Sequence, residues 1–180
     1  MSDVYQTDTR VVCGRKVRIE WHVDAHMGPP WKECDGHGPV TEWLPRDSKR
    51  PGWRVLVSDH GAHRFYDWEE ATKIAKREGW GLGIDEFTKL MCELRRVPTA
   101  KQVCERAVKN NYEWLWGWCN DEWRWCGIVV IDIQSDVERS LWGIESTNEH
   151  GYHEGIITDL VEDMYVDVVR VLMSGEEDAA

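Results

Sequence analysis

The sequence predicts an α+β fold: a mostly antiparallel sheet with helices packed on one face. Two patterns and their order predict it. Val17, Ile19, Trp21 and Val23 alternate with Arg18, Glu20, His22 and Asp24, the two-residue period of a half-buried strand. Ile157, Leu160, Val161, Met164, Val168, Val169 and Leu172 recur every three or four residues, the period of an amphipathic helix over residues 153–173. Between them the elements follow in the order β-β-β-α-α-α-β-β-α, which suits an antiparallel sheet with helices on one side.

The first strand covers residues 16–24, and residues 10–13 are either its hairpin partner, turning at Gly14, or its beginning. Residues 27–52 hold Gly28, Pro29, Pro30, Gly36, Gly38, Pro39, Pro45, Pro51 and Gly52, too many breakers for a long regular element. This is a structured loop, long for a compact domain, and such loops are often functional. Short strands follow at residues 53–57 and 64–66, joined by the turn Ser58-Asp59-His60-Gly61. Asp67 caps a helix over 68–78, with Glu70 three residues on and Gly79 as its stop. A second helix spans 84–95 and ends before Pro98. Thr99 caps a third over 100–118, with Val103, Ala107, Trp114 and Trp118 on one face. Residues 123–133 are rich in aromatic and β-branched types and read as a central strand, with 141–145 as its hairpin mate.

A chain of 180 residues is expected to form one domain, residues 1–175, with a short acidic tail at 176–180. No apolar run approaches the length of a membrane span, and the first ten residues lack the features of a signal peptide. A cytoplasmic protein is expected. Six scattered cysteines (Cys13, Cys34, Cys92, Cys104, Cys119, Cys126) form no CxxC pair and read as reduced, mostly buried thiols. The formal charge is −11, and residues 151–180 hold eight acids against one Arg. A field of that sign repels phosphate backbones and favours a basic partner over nucleic acid itself.

Several segments carry a resemblance. They are Met27 to Val40 (MGPPWKECDGHGPV), Arg50-Pro51-Gly52, Arg64-Phe65-Tyr66-Asp67, Ile74 to Trp80, Trp118 to Trp123 (WCNDEW) and Leu141 to Ser146 (LWGIES). Together they resemble a family of proteins encoded by tailed phages and prophages. The resemblance implies a phage setting, acting in the host bacterial cell, and no mechanism. Phage accessory products of this size commonly serve host takeover or evasion of host defences, and acidic inhibitors that occupy nucleic-acid channels are one solution to that task.

Four constellations are candidates for function. His22, Asp24 and His26 alternate onto one strand face, with Asp35 and His37 in the loop and Asp59, His60 and His63 in the later turn. Imidazole with carboxylate suits zinc or manganese, and an open coordination position would activate water, as in a metal-dependent hydrolase. The bland alternative is a polar strand face without ligand spacing. Asp35-Gly36-His37-Gly38 would let backbone approach a ligand, or simply turn the chain. Trp114, Trp116, Trp118, Trp123 and Trp125 are core residues or, where exposed, partner anchors, with Trp116 and Trp123 the candidates. Asp159, Glu162, Asp163 and Asp167 line the last helix away from its apolar stripe, either a solvated face or a row that stands in for phosphates.

The sequence contains no GxSxG, phosphate-loop or dinucleotide fingerprint. The leading expectation is therefore a non-enzymatic phage protein that binds a host protein, an inhibitor of a nucleic-acid-handling defence complex through a DNA-mimicking face, with no cofactor. A metal-dependent hydrolase and a virion structural or assembly factor are the alternatives.

Overall fold

The computed structural model describes residues 3–147 and 151–177, with side chains up to Met173. In chain order the elements are β1 (Val4–Val12), β2 (Arg15–Val23), the short helix α1 (Pro30–Glu33), β3 (Leu44–Pro45), a 3-10 turn (Arg46–Ser48), β4 (Trp53–Asp59), β5 (Ala62–Asp67), α2 (Trp68–Glu78), α3 (Ile84–Leu94), α4 (Ala100–Cys119), β6 (Trp125–Asp132), β7 (Glu138–Glu145) and α5 (Tyr152–Glu177). The fold is α+β with antiparallel pairing throughout. The strands divide between two sheets. Contacts likewise gather into two compact units where one core was expected, one of residues 1–27 and 123–180, the other of residues 28–122. Helix α5 takes in Glu176 and Glu177 of the expected tail, and residues 178–180 lie outside the described residues.

In the first unit the strand order is β1-β2-β6-β7. Residues 10–12 belong to a hairpin partner longer than the sequence indicated, because β1 starts at Val4. Its turn is Cys13-Gly14, where both residues have positive φ (48° and 77°), the hand that matches strand twist in a two-residue hairpin. Glycine takes this conformation without cost. Val17, Ile19 and Trp21 of β2 join Ile128 and Val130 of β6 and Ile144 of β7 on one face, and Ile157, Leu160, Val161, Met164 and Val168 of α5 close over them.

A buried carboxylate ties the ends of these strands. Asp132, 1% exposed, accepts from Arg15 Nε and Nη2, both at 2.9 Å. Its Oδ1 also accepts from the Gln134 and Ser135 amides (3.1 and 2.9 Å) and from Ser135 Oγ (2.8 Å), which shapes the β6–β7 turn. Burial alone pushes this carboxyl up. The hydrogen bonds from Arg15 and Ser135 and the guanidinium charge outweigh burial and hold it below the usual aspartate range.

In the second unit β5 lies between β3 and β4. Asp67 Oδ1 caps α2 by accepting the Glu70 amide at 3.0 Å, and its Oδ2 accepts Trp53 Nε1 at 3.0 Å. The capping box of α4 is complete, with Thr99 and Gln102 bonded reciprocally. The buried face of α4 differs from the expected one. Cys104, Ala107, Val108 and Leu115 carry it, while Val103, Trp114 and Trp118 are half-buried. Small residues explain the choice, since they let α4 approach α2, whose own buried residues are Ala71 and Ala75.

The loop at 27–52 is ordered by named contacts. Asn111 Oδ1 accepts both the Gly38 amide and Tyr66 Oη, each at 2.9 Å. Gly38 has to be glycine: a Cβ there would sit 2.4 Å from Tyr66 Oη. Residues 39–41 run beside β5, with Asp67 N donating to Pro39 O and Thr41 N to Phe65 O, both at 2.9 Å. The Arg64 guanidinium lies between the rings of Trp31 and Trp43, at 5.0 and 5.1 Å, and Trp118 meets Trp31 edge-on at 5.3 Å.

Two outcomes follow. Asn111→Ala leaves a buried hydroxyl and amide without their acceptor, and urea unfolding is expected to show a loss of about 1–3 kcal/mol; an unchanged midpoint would show the hub to be idle. Asp132 has a depressed native pKa, so its contribution is fully present above the unfolded value and is lost as pH falls through the native one. Asp132→Asn is expected to cost roughly 2 kcal/mol at neutral pH. That difference shrinks below about pH 4. A pH-independent difference would contradict the assignment.

Candidate functional site

The residues proposed for metal are not brought together. His22 contacts Glu20 Oε2 at 3.2 Å, and its ring lies 5.7 Å from that of Trp142. Asp24 was expected on the open strand face, but β2 ends at Val23 and alternation ends with it. Its carboxylate is buried and accepts the His26 amide at 3.0 Å and the Gly143 amide at 3.1 Å. Both oxygens are therefore used to hold a turn and the irregular part of β7. The His26 residue is exposed. His37 belongs to the other unit, where Nδ1 donates to Gly38 O at 2.8 Å, the local turn bond that was the favoured reading of Asp35-Gly36-His37-Gly38. His63 Nδ1 meets Ser58 Oγ at 2.6 Å, and His60 projects into solvent beside Asp59. Among the described residues no three His, Cys, Asp or Glu side chains are grouped so as to hold a metal ion.

The cysteines offer no nucleophile in a prepared setting. None is in a disulfide; Cys104 and Cys126 are buried, while Cys13 and Cys92 are exposed against expectation. Burial pushes the Cys119 thiol up to about 11 and also raises Cys126, the reverse of activation.

The tryptophan candidates separate. Trp123 is 5% exposed and packs edge-on against Trp125, with ring centroids 5.0 Å apart, so it belongs to the interior and is withdrawn as a partner anchor. Trp116, on α4, is 37% exposed.

The acidic candidates on α5 also separate. Asp159, Glu162 and Asp163 are exposed and make no ion pair with any described residue. Asp167 is different: it is bonded by Arg139 of β7 and by Arg170 one turn on, and so is largely neutralised. The open row is thus three carboxylates long. Sequence reading missed its continuation, for Val166 (66% exposed) and Met173 (66%) follow on the same side of the helix, and Val169, assigned to the buried stripe, is 36% exposed. The signal was available, because positions 159, 162, 163, 166, 170 and 173 share one face at 3.6 residues per turn.

Charge follows the division into units. Residues 1–27 and 123–180 contain seventeen Asp and Glu against seven Lys and Arg, a balance of −10, and residues 28–122 carry only −1. Among the described residues no helix is long and apolar enough to cross a membrane. Comparison with protein-family models, with curated proteins and with solved structures returns no match to this chain.

Truncation separates the two indoles. Trp123→Ala is expected to cost about 3–5 kcal/mol in urea unfolding, as removal of a core aromatic does. Trp116→Ala should cost under about 1 kcal/mol. Equal costs would contradict this placement.

Proposed function

We propose that this chain is a non-enzymatic phage accessory protein that acts in the host cytoplasm by binding a host protein through the outer face of α5. The partner is a nucleic-acid-handling protein, and the face occupies its basic groove. One observation carries the reading: Asp159, Glu162 and Asp163 make no ion pair with any described residue, on a unit with a balance of −10. Asp159 and Asp163 are about 6 Å apart along the helix axis, from a rise of about 1.5 Å per residue. Three charges over that length approach the linear charge density of one DNA strand, about one per 3.4 Å. Unpaired carboxylates repel one another in the free protein, and a groove lined by Arg and Lys relieves that repulsion. Val166, Val169 and Met173 extend the face with exposed apolar surface, so the partner presents a basic region next to an apolar one.

The test is capture of the partner from host lysate by tagged protein and by the variant Asp159→Lys/Glu162→Lys/Asp163→Lys. These side chains are exposed, so the variant is expected to fold. Capture of a nucleic-acid-binding protein is expected to fall at least tenfold, and the wild-type complex should weaken steeply with salt because the contact charges are exposed. Undiminished capture by the folded variant would remove the acidic face from the mechanism.

A further inference from the structure

β1 is an edge strand of the four-stranded sheet and runs nine residues, Val4–Val12, without a proline or lysine. Val4, Tyr5 and Val11 are 46%, 45% and 67% exposed. Long exposed edges of this kind invite pairing, and proteins that keep them free usually blunt them with bulges, prolines or lysines. β1 carries a register shift of its own between Val4 and Gln6 and is regular from Gln6 to Val12. The opposite edge is interrupted in mid-strand. In β7 the register shifts beside Trp142 and Gly143, and Gly143 has a φ of +72°.

The register of β1 shows which backbone groups are free. Val12 and Arg15 flank the two-residue turn and form its hydrogen-bonded pair, and alternation then directs Arg10, Asp8 and Gln6 toward β2. The amides and carbonyls of Val11, Thr9 and Thr7 point to the open edge.

We infer that β1 pairs with β1 of a second copy of this chain, antiparallel about a two-fold axis at Thr9, to give one continuous eight-stranded sheet. Charge selects the register. Only registers that set odd positions opposite odd positions use the free backbone groups. Centring on Asp8 opposes two carboxylates, and centring on Arg10 opposes two guanidinium groups. Centring on Thr9 sets Asp8 against Arg10 of the second copy twice, at the non-hydrogen-bonded positions where cross-strand side chains approach most closely. Thr9 then pairs with Thr9, and Thr7 with Val11, through backbone hydrogen bonds. Asp8 and Arg10 lie on one face 3.5 Å apart and part-exposed, at 42% and 34%, and Arg10 Nη2 also donates to Glu154 Oε2 at 2.6 Å. Each Arg10 is then shared among Glu154, its own Asp8 and the Asp8 of the second copy. This contact is built from residues of β1, none of which belongs to the outer face of α5, so it stands or falls separately from the partner reading.

Sedimentation or light scattering across a concentration series tests it on the full chain. Wild type is expected to shift toward twice the chain mass as concentration rises. Thr9→Pro removes an edge-facing amide without touching the β1–β2 ladder, and Asp8→Arg places like charges opposite one another. Both variants should stay at the single-chain mass, with unchanged circular dichroism. Should Thr9→Pro fail to fold, Asp8→Arg decides. Mixing Asp8→Arg with Arg10→Asp should restore the doubled mass, since each then opposes its complement. Wild type that remains single-chain up to millimolar concentration, or folded variants that associate like wild type, would overturn the inference.

Discussion

The stripe Ile157, Leu160, Val161, Met164 and Val168, pressed onto Val17, Ile19, Ile128, Val130 and Ile144, is the constraint on which the functional reading depends. It sets the rotation of α5 about its own axis. Once those residues are buried, Asp159, Glu162 and Asp163 must face outward, and the helix has no freedom to hide them. Burying aliphatic side chains of this kind is worth about 1.5–3 kcal/mol each, far more than any exposed charge pair returns. The core therefore decides the face, and the charges accept it. Arg139 and Arg170 compensate Asp167, which leaves Asp159, Glu162 and Asp163 as the open row among the described side chains of the outer face.

The second unit solves a different problem, which is how to hold a proline- and glycine-rich stretch in place without regular structure. It does so with one shared acceptor, Asn111 Oδ1, and with arginines stacked on aromatic rings. Arg54 lies 3.2 Å from the centroid of Trp68 and 5.6 Å from that of Tyr112, and Arg64 lies between Trp31 and Trp43. Trp31, Trp43, Trp53 and Trp68, four of the twelve tryptophans, lie against arginines of this unit, of which Arg64 is half-buried and Arg54 exposed. The near-neutral balance of this unit leaves the acidity to the other.

Most of the element order was legible in the sequence, because caps and periodicity are local. Asp67 with Glu70, Gly79, and Thr99 with Gln102 mark helix ends through bonds within a turn of chain. What was not legible is what depends on distant partners. β1 has little alternation to read, since six of its nine residues are exposed. The offset of the α4 stripe follows from close approach to Ala71 and Ala75, which α4's own sequence does not contain. At the candidate site, Asp24 was misread because its strand stops one residue short of it, and Trp123 because nothing local distinguishes a buried indole from an open one. Asp159, Glu162 and Asp163 were legible since helical periodicity alone places them. The pairing of Asp167 was not, as Arg139 comes from a strand 28 residues away.

The central claim is that the outer face of α5 occupies a nucleic-acid groove, and competition tests it most directly. A captured host partner would be titrated with short duplex DNA in the presence and absence of this protein, with fluorescence anisotropy reporting the DNA. The account predicts mutual exclusion: the apparent Kd for DNA rises in proportion to the concentration of this chain, and no ternary complex forms. A stable ternary complex with unchanged DNA affinity would contradict it.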